Sequence, residues 1–418
     1  TSYGLLNYAT FYEARAASPS FRPRFRWFDK HLSLAGAVAC LGAMLAIDPV
    51  AALISLSILA AVYQYLERVD SPARWAHGRR SYNFQRIREL LFEMEHIAPH
   101  PRDWRPHILA LSHDEHRRVR LLEFAAWVEG DSGLTTVVSI VEGGGPDAER
   151  RRREAGERLA KTVEQHELRA FPLAVTAPDF RTGLEMLLQG YGIGPLKANM
   201  ILLNWLDQRP EAADEGKERV YGRSLREAVA LGSNILVLDA PPEKWRTLTS
   251  TPGQERRIDV WWGGGATSRL CLLLSYLMTR TDEWGEAHLR LLAQGQKNRP
   301  ERTARELEEM LGDVRIDAEI RLVERLDIDV LMSESGDAAL TFMPIVLRAN
   351  RPMDFFGHPV EETLEHLPVA ALVLAAEDIA LDAEPEEGEA AERAAEADRA
   401  EDARKRTDQR RKETDAAS

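Results

Sequence analysis

The 418 residues predict a membrane α-helical hairpin followed by an α/β module of mainly parallel strands. Two observations carry this. Residues 31–66, HLSLAGAVACLGAMLAIDPVAALISLSILAAVYQYL, form two apolar runs joined at Asp48-Pro49, with basic residues outside both ends. From His107 onward, short apolar runs alternate with amphipathic stretches in strand–helix–strand order, the pattern of a parallel sheet covered on both faces.

The first run, Leu32 to Ile47, carries no charge. As a helix it covers roughly 24 Å, a little less than a hydrocarbon core of about 30 Å. Trp27 and Phe28 before it, and Tyr63 and Tyr65 near the end of the second run, are placed for the interface. Arg22, Arg24, Arg26 and Lys30 precede the hairpin, and Arg68, Arg74, Arg79 and Arg80 follow it. Two spans return the chain to its starting side, and basic flanks belong in the cytosol. A buried hairpin in a soluble core is the competing reading, and the basic flanks speak against it. Ala35, Ala39 and Ala43 recur every four residues, as do Gly36 and Cys40, so the hairpin is expected to pack closely on another helix. The opening TSYGLLNYATFYEA is apolar, too short to span and unlike a signal peptide. It reads as the end of a preceding membrane helix, so a larger protein is expected.

The formal charge of −13 argues against a nucleic-acid partner. From Arg68 to Arg88, six arginines face one acid, Asp70, which suits anionic lipid headgroups. With two cysteines, Cys40 in the hairpin and Cys271 in an apolar run, neither a disulfide framework nor a zinc site is expected.

The expected organisation is 1–14 end of a helix, 15–30 basic loop, 31–66 hairpin, 67–106 linker with a helix near 86–94, 107–245 first α/β unit, 246–380 second α/β unit, and 381–418 charged tail without an apolar face. In the first unit, strands are expected at 107–112, 134–141, 171–175, 200–205 and 234–239, and helices at 115–129, 147–166, 179–188 and 224–231. Residues 247–255 read as a break at Pro252-Gly253. The second unit then repeats the order, with strands at 258–262, 288–293, 316–323, 340–347 and 369–375, and helices at 267–278, 301–311 and 361–366.

Candidate chemistry is sparse. His113-Asp-Glu-His116 groups metal-ligating types, but its arginine neighbours and acids suit the start of a solvated helix. Gly143, Gly144 and Gly145, and Gly192 and Gly194, are the candidates for a phosphate cradle; no cofactor is expected, and ATP binding there belongs to the alternative reading as a nucleotide sensor. Neither GxGxxG after a strand nor GxxxxGK[ST] occurs. The triple glycines at 143–145 and 263–265 read as flexible connections, and 190–195 as a helix stop. Trp261-Trp262 ends a strand, as core or interface. No nucleophile elbow or catalytic triad pattern is present, so the expectation is a protein without enzymatic activity.

Several ordered motifs carry a family likeness. Ser18-Pro19, Arg22-Pro23, Phe25 and Ser33-Leu34-x-Gly36 resemble the penultimate-helix region of the cation–chloride cotransporters. Asp103-Trp-Arg-Pro106, Gly133-Leu-Thr135, Arg181-x-Gly183, Gly192-Ile-Gly194 with Lys197-x-Asn199, Ile258-Asp-Val-Trp-Trp262 and Arg315-Ile-Asp317 follow in the family's order, so the likeness spans roughly residues 1–380. The resemblance implies that the hairpin is the last pair of membrane helices, at the inner membrane with its soluble part in the cytoplasm. It implies a scissor-type helix after the hairpin and two subdomains like universal stress proteins. It also implies dimerisation and regulation of an electroneutral symporter for chloride with potassium, sodium or both, with a lean to the potassium–chloride branch. The ion sites of such proteins lie on earlier helices, so no ion ligand is assigned here. A membrane-anchored nucleotide sensor and the regulatory part of an amino-acid permease are the alternatives.

Overall fold

The structure is a computed structural model, and it describes residues 2–15, 29–68, 78–97, 103–112, 114–205, 215–296, 299–377 and 381. The arginines at 22–26, Arg74, His113 and the tail after 381 lie outside the described residues. The chain divides into two compact units, Thr1–Ala98 and Pro99–Ser418.

Among the described residues the first unit holds four helices: α1 (Ser2–Arg15), α2 (Lys30–Ile47), α3 (Pro49–Arg68) and α4 (Gly78–Glu95). Asp29 caps α2 by accepting from the backbone N–H groups of His31 and Leu32. Asp48 does the same for α3 through Val50 and Ala51, so the Asp-Pro turn ends one helix and starts the next. Helix α2 is 18 residues long, about 27 Å, and none of its residues is buried. Among the described residues it is the helix long and apolar enough to cross a membrane; the apolar part of α3 is the shorter Pro49–Tyr65. Helix α1 lies against α2 through small residues. A Cβ added at Gly4 would sit 3.1 Å from the Cys40 side chain, and one at Gly36 would sit 2.9 Å from that of Asn7. The Gly36/Cys40 row is thus taken up inside this chain, whereas Ala35, Ala39 and Ala43 stay exposed. Tyr82 of α4 stacks on Tyr12 of α1 at 5.9 Å.

The second unit runs β1 (His107–Leu111), α5 (Glu115–Glu129), β2 (Leu134–Glu142), α6 (Gly145–Gln165), β3 (Phe171–Ala177), α7 (Phe180–Gly190), β4 (Gly192–Ile193), β5 (Leu196–Lys197), β6 (Met200–Asn204), α8 (Glu215–Ala230) and β7 (Asn234–Asp239). Helix α9 (Pro242–Ser250) and a short turn at 253–255 lead into β8 (Arg257–Trp262), α10 (Gly265–Thr279), β9 (His288–Gln294), α11 (Pro300–Val314), β10 (Glu319–Val323), α12 (Ile328–Ser335), β11 (Leu340–Arg348), β12 (Arg351–Asp354), α13 (Val360–Leu364) and β13 (Val369–Leu374).

Two five-stranded parallel sets share one plan. Their strands stand in the order third, second, first, fourth, fifth: β3-β2-β1-β6-β7 and β10-β9-β8-β11-β13. The two α/β halves expected from the sequence share a single continuous sheet, because the fifth strands β7 and β13 pair antiparallel, from Ala370↔Asp239 to Leu374↔Ile235. The apolar residues on both faces of these strands demand cover from both sides. Helices α5, α6, α9, α10 and α11 cover one face. Helices α7, α8, α12 and α13 cover the other. Over the join, Phe124 of α5 meets Phe342 of β11 at 6.3 Å, and Trp127 stacks on Trp245 of α9 at 5.1 Å and meets Trp284 edge-on at 5.3 Å.

Three local readings are corrected. The break at 247–255 begins within α9: Pro242 opens the helix, and Trp245 and Leu248, three apart, bury its inner face. Residues 190–195 stop no helix by a left-handed glycine. Tyr191 caps α7, and Gly192 (φ +141°) and Gly194 (φ +58°) shape the β4–β5 hairpin, where a Cβ at Gly192 would lie 2.4 Å from the Leu196 carbonyl oxygen. The triple glycines are fixed turns rather than loose connections: Gly143, Gly145, Gly264 and Gly265 have φ between +74° and +111°, and each set opens a helix.

Gly133, just before β2, tests this packing, since an added Cβ would lie 2.2 Å from the Pro106 carbonyl oxygen. Gly133→Ala is expected to cost about 2 kcal/mol, seen as a lower urea midpoint with unchanged slope in unfolding followed by tryptophan fluorescence.

Candidate functional site

In sheets of this order, ligands enter at the carboxyl ends of the first and fourth strands, where the connections diverge. Among the described residues, the chain's own groups reach into both such crevices. In the first half the crevice lies between β1 and β6. Asn204 donates to the Ser112 hydroxyl at 3.0 Å, and that hydroxyl donates to the Asp114 carbonyl at 2.9 Å. Arg117 reaches across from α5 to the Trp205 carbonyl at 2.6 Å, and Trp205 packs edge-on against Tyr221 at 5.6 Å. In the second half the crevice lies between β8 and β11. There the β11–β12 hairpin carries Phe355 and Phe356 back over Trp261. A Cβ at Gly263 would lie 3.1 Å from the Phe355 ring, so the glycine admits the aromatic.

The candidate glycines do not converge. Gly143–Gly145 follow the carboxyl end of β2 and open α6, with Arg151 donating to the Glu142 carbonyl beside them. Gly192 and Gly194 lie before the start of β6, in the hairpin whose Lys197 carbonyl contacts His107 at the start of β1. Because β1, β2 and β6 are parallel, the two glycine groups lie at opposite edges of the half-sheet. Asp114 caps α5, accepting from His116 and Arg117, so His116 sits on an exposed first turn. Among the described residues no three His, Cys, Asp or Glu side chains are grouped to hold a metal ion.

The motifs instead form knots. Asn199 joins three strand starts: its Oδ1 accepts from the His107 N–H, its Nδ2 donates to the Arg105 carbonyl, and its own carbonyl accepts from the Asn234 side chain. Trp104 donates to Glu377 beyond β13. Gly183 lets α7 meet β2, since a Cβ there would lie 2.7 Å from Ile140. Arg181 of the same motif pairs with Glu227 of α8 at 2.5 Å.

Asp259 of the Ile258–Trp262 motif makes the largest knot. It is fully buried, and Arg290 of β9 grips both its oxygens, at 3.0 and 2.8 Å. Arg257 donates to Oδ1 and Ser335 of α12 to Oδ2, while Trp261 donates to the Ser335 hydroxyl. Glu334 extends the chain of charges to Arg290 and Arg321. This cluster pins α12 across β8, β9 and β10. Reading along the sequence missed it, although an acid inside the apolar strand RIDVWW and an arginine inside HLRLLAQ were the available signal.

The solute carrier family 12 model matches residues 118–238 and 247–331. The chain belongs to solute carrier family 12, the cation–chloride cotransporters. Among solved structures, the chain is similar to the cytoplasmic domain of a prokaryotic cation chloride cotransporter, at 15% identity, covering 66% of this chain and 99% of that one with a TM-score of 0.48. It is also similar to a universal stress protein from Archaeoglobus fulgidus DSM 4304, at 10% identity, covering 64% and 97% with a TM-score of 0.43. The solute carrier family 12 match is interrupted between 238 and 247, where β7 ends and α9 begins, so its two segments fall on the two halves of the sheet. Asn199, Gly183 and Asp259 lie inside the matched segments.

Removing the Asp259 charge leaves Arg290 and Arg257 facing each other around a buried amide. Asp259→Asn is expected to cost about 3 kcal/mol, measured by chemical denaturation. Proteolysis at α12 should rise in parallel, because Ser335 and Glu334 lose their anchor.

Proposed function

We propose that this chain is the carboxy-terminal dimerisation and regulatory part of an electroneutral symporter carrying chloride with potassium, sodium or both. The observation that carries the reading is the presence, in one member of solute carrier family 12, of an apolar hairpin with no buried residue on α2 and a large α/β module. The hairpin spans the inner membrane twice, its basic flanks hold both ends in the cytosol, and α1 ends a preceding membrane helix. The arginines from 68 to 88 meet anionic headgroups, and the α/β module lies in the cytoplasm. The filled crevices favour a mechanical role for both halves over nucleotide sensing, and no nucleic-acid partner is invoked for so acidic a chain. Neighbouring potassium–chloride transporters are the branch that Trp104-Arg-Pro106 and Gly133-Leu-Thr135 favour.

Chloride-dependent rubidium and sodium uptake by the intact transporter, with and without residues 100–380, measures the regulatory role. The expected outcome is a change in flux or in assembly on deletion; unchanged folding, assembly and flux would remove it.

The exposed row Ala35, Ala39 and Ala43 supports pairing of two copies in the membrane. Ala43→Cys in a Cys40→Ser background is expected to give a cross-linked dimer in membranes with a short bifunctional reagent. Persistent failure to capture one would count against hairpin pairing.

A further inference from the structure

At the amino edge of the first half, a cavity of about 390 Å³ opens below the starts of β2 and β3. Glu129, the last residue of α5, lines it although its residue is only 7% exposed. Thr135 donates to its Oε2 at 2.6 Å. Among the described residues no hydrogen bond reaches its other carboxylate oxygen, Oε1. The apolar part of the cavity wall is Leu134 and Phe171, which are 41% and 62% exposed, and Leu168. On the rim, Arg169 pairs with Asp131 at 2.5 Å, both well exposed.

Two features favour a positive guest. The carboxylate has an oxygen to spare, and the carboxyl end of α5 adds negative potential. Burial pushes the Glu129 carboxyl above the usual range, opposed by the Thr135 hydrogen bond. An inorganic cation would need a cage of several oxygens, whereas much of this wall is hydrocarbon. A cavity of this size with one charged group and apolar sides fits a small molecule with a charged head and a short carbon body.

We propose that this cavity binds a small organic ammonium ion, its head on Glu129 and its carbon chain against Leu134, Leu168 and Phe171. The pocket is separate from both crevices at the carboxyl edges, and Glu129 and Thr135 tie it to the Gly133–Thr135 turn. An ammonium ion seated there braces the end of α5 against the start of β2.

The test is titration calorimetry on the full chain in detergent, with n-butylammonium as probe and 1-butanol and potassium ion at equal concentration as comparisons. Saturable heat from n-butylammonium, with no saturation from 1-butanol or potassium, is expected. Glu129→Gln, which can still accept from Thr135, should weaken binding about tenfold. Arg169→Gln, which removes a competing cation from the rim, should tighten it by about twofold. Phe171→Ser, at an exposed position, controls for folding and should also weaken binding. Equal saturation by 1-butanol, saturation by potassium alone, or affinity unchanged in both Glu129→Gln and Phe171→Ser would overturn the proposal.

Discussion

The antiparallel pairing of β7 with β13 is the constraint on which the rest of the second unit depends. Each strand is the fifth of its half, and each is apolar on both faces: Ile235 to Leu238 and Val369 to Val373 are buried. Left as edges, the two strands would expose rows of unpaired backbone groups beside large apolar surfaces. Pairing them removes both edges and places the least soluble strands at the centre of the sheet. What remain as true edges are β3, which carries Pro172, and β10, which carries Glu319 and Arg321.

The direction of that pairing organises everything around it. Because β7 and β13 run opposite ways, the carboxyl edge of one half lies beside the amino edge of the other. The chain therefore leaves β7 on the side where β8 must begin, and a single short helix, α9, spans the gap. The same inversion brings the end of β13 to the start of β1, where Trp104 meets Glu377 and Asn234 accepts from the Ala376 N–H. The tryptophans of α5, α9 and the loop after α10 then close over the join. The Trp127 indole donates to Glu283, and the Arg256 guanidinium lies 5.0 Å from the Trp284 ring centre.

Within this frame the motifs of the family act as fasteners. Two classes are distinguishable. Gly133 and Gly183 are places where backbone or a helix comes too close for a side chain. Asn199 and Asp259 are polar groups that satisfy several partners at once where strands converge, so a substitution at either leaves buried groups without partners. The crevices at the carboxyl edges are closed by the same economy of space: one by a hydrogen-bonded chain through Ser112 and Asn204, the other by Phe355 and Phe356. A sheet plan that elsewhere suits a ligand here carries, among the described residues, the chain's own polar and aromatic groups at both carboxyl-edge crevices.

Local patterning along the sequence determined most of the elements. The 3.6-residue period of α5 and the caps Asp114 and Asp179 put helix ends where they are found, because capping is settled by residues a few positions apart. Apolar runs such as NILVLD and VAALVL marked central strands, because a strand buried on both faces has no polar positions. The apolar hairpin and its basic flanks are likewise properties of composition. Tertiary structure alone decided how these parts meet. Strand pairing between residues more than a hundred positions apart is not encoded in any local period, so the fusion of two halves into one sheet was not legible. Nor was the bond from Asp259 to Arg290, since a lone acid in an apolar strand announces a partner without saying where it is. The candidate glycines show the same limit: residue type marked two separate candidate groups, and strand direction put them on opposite edges.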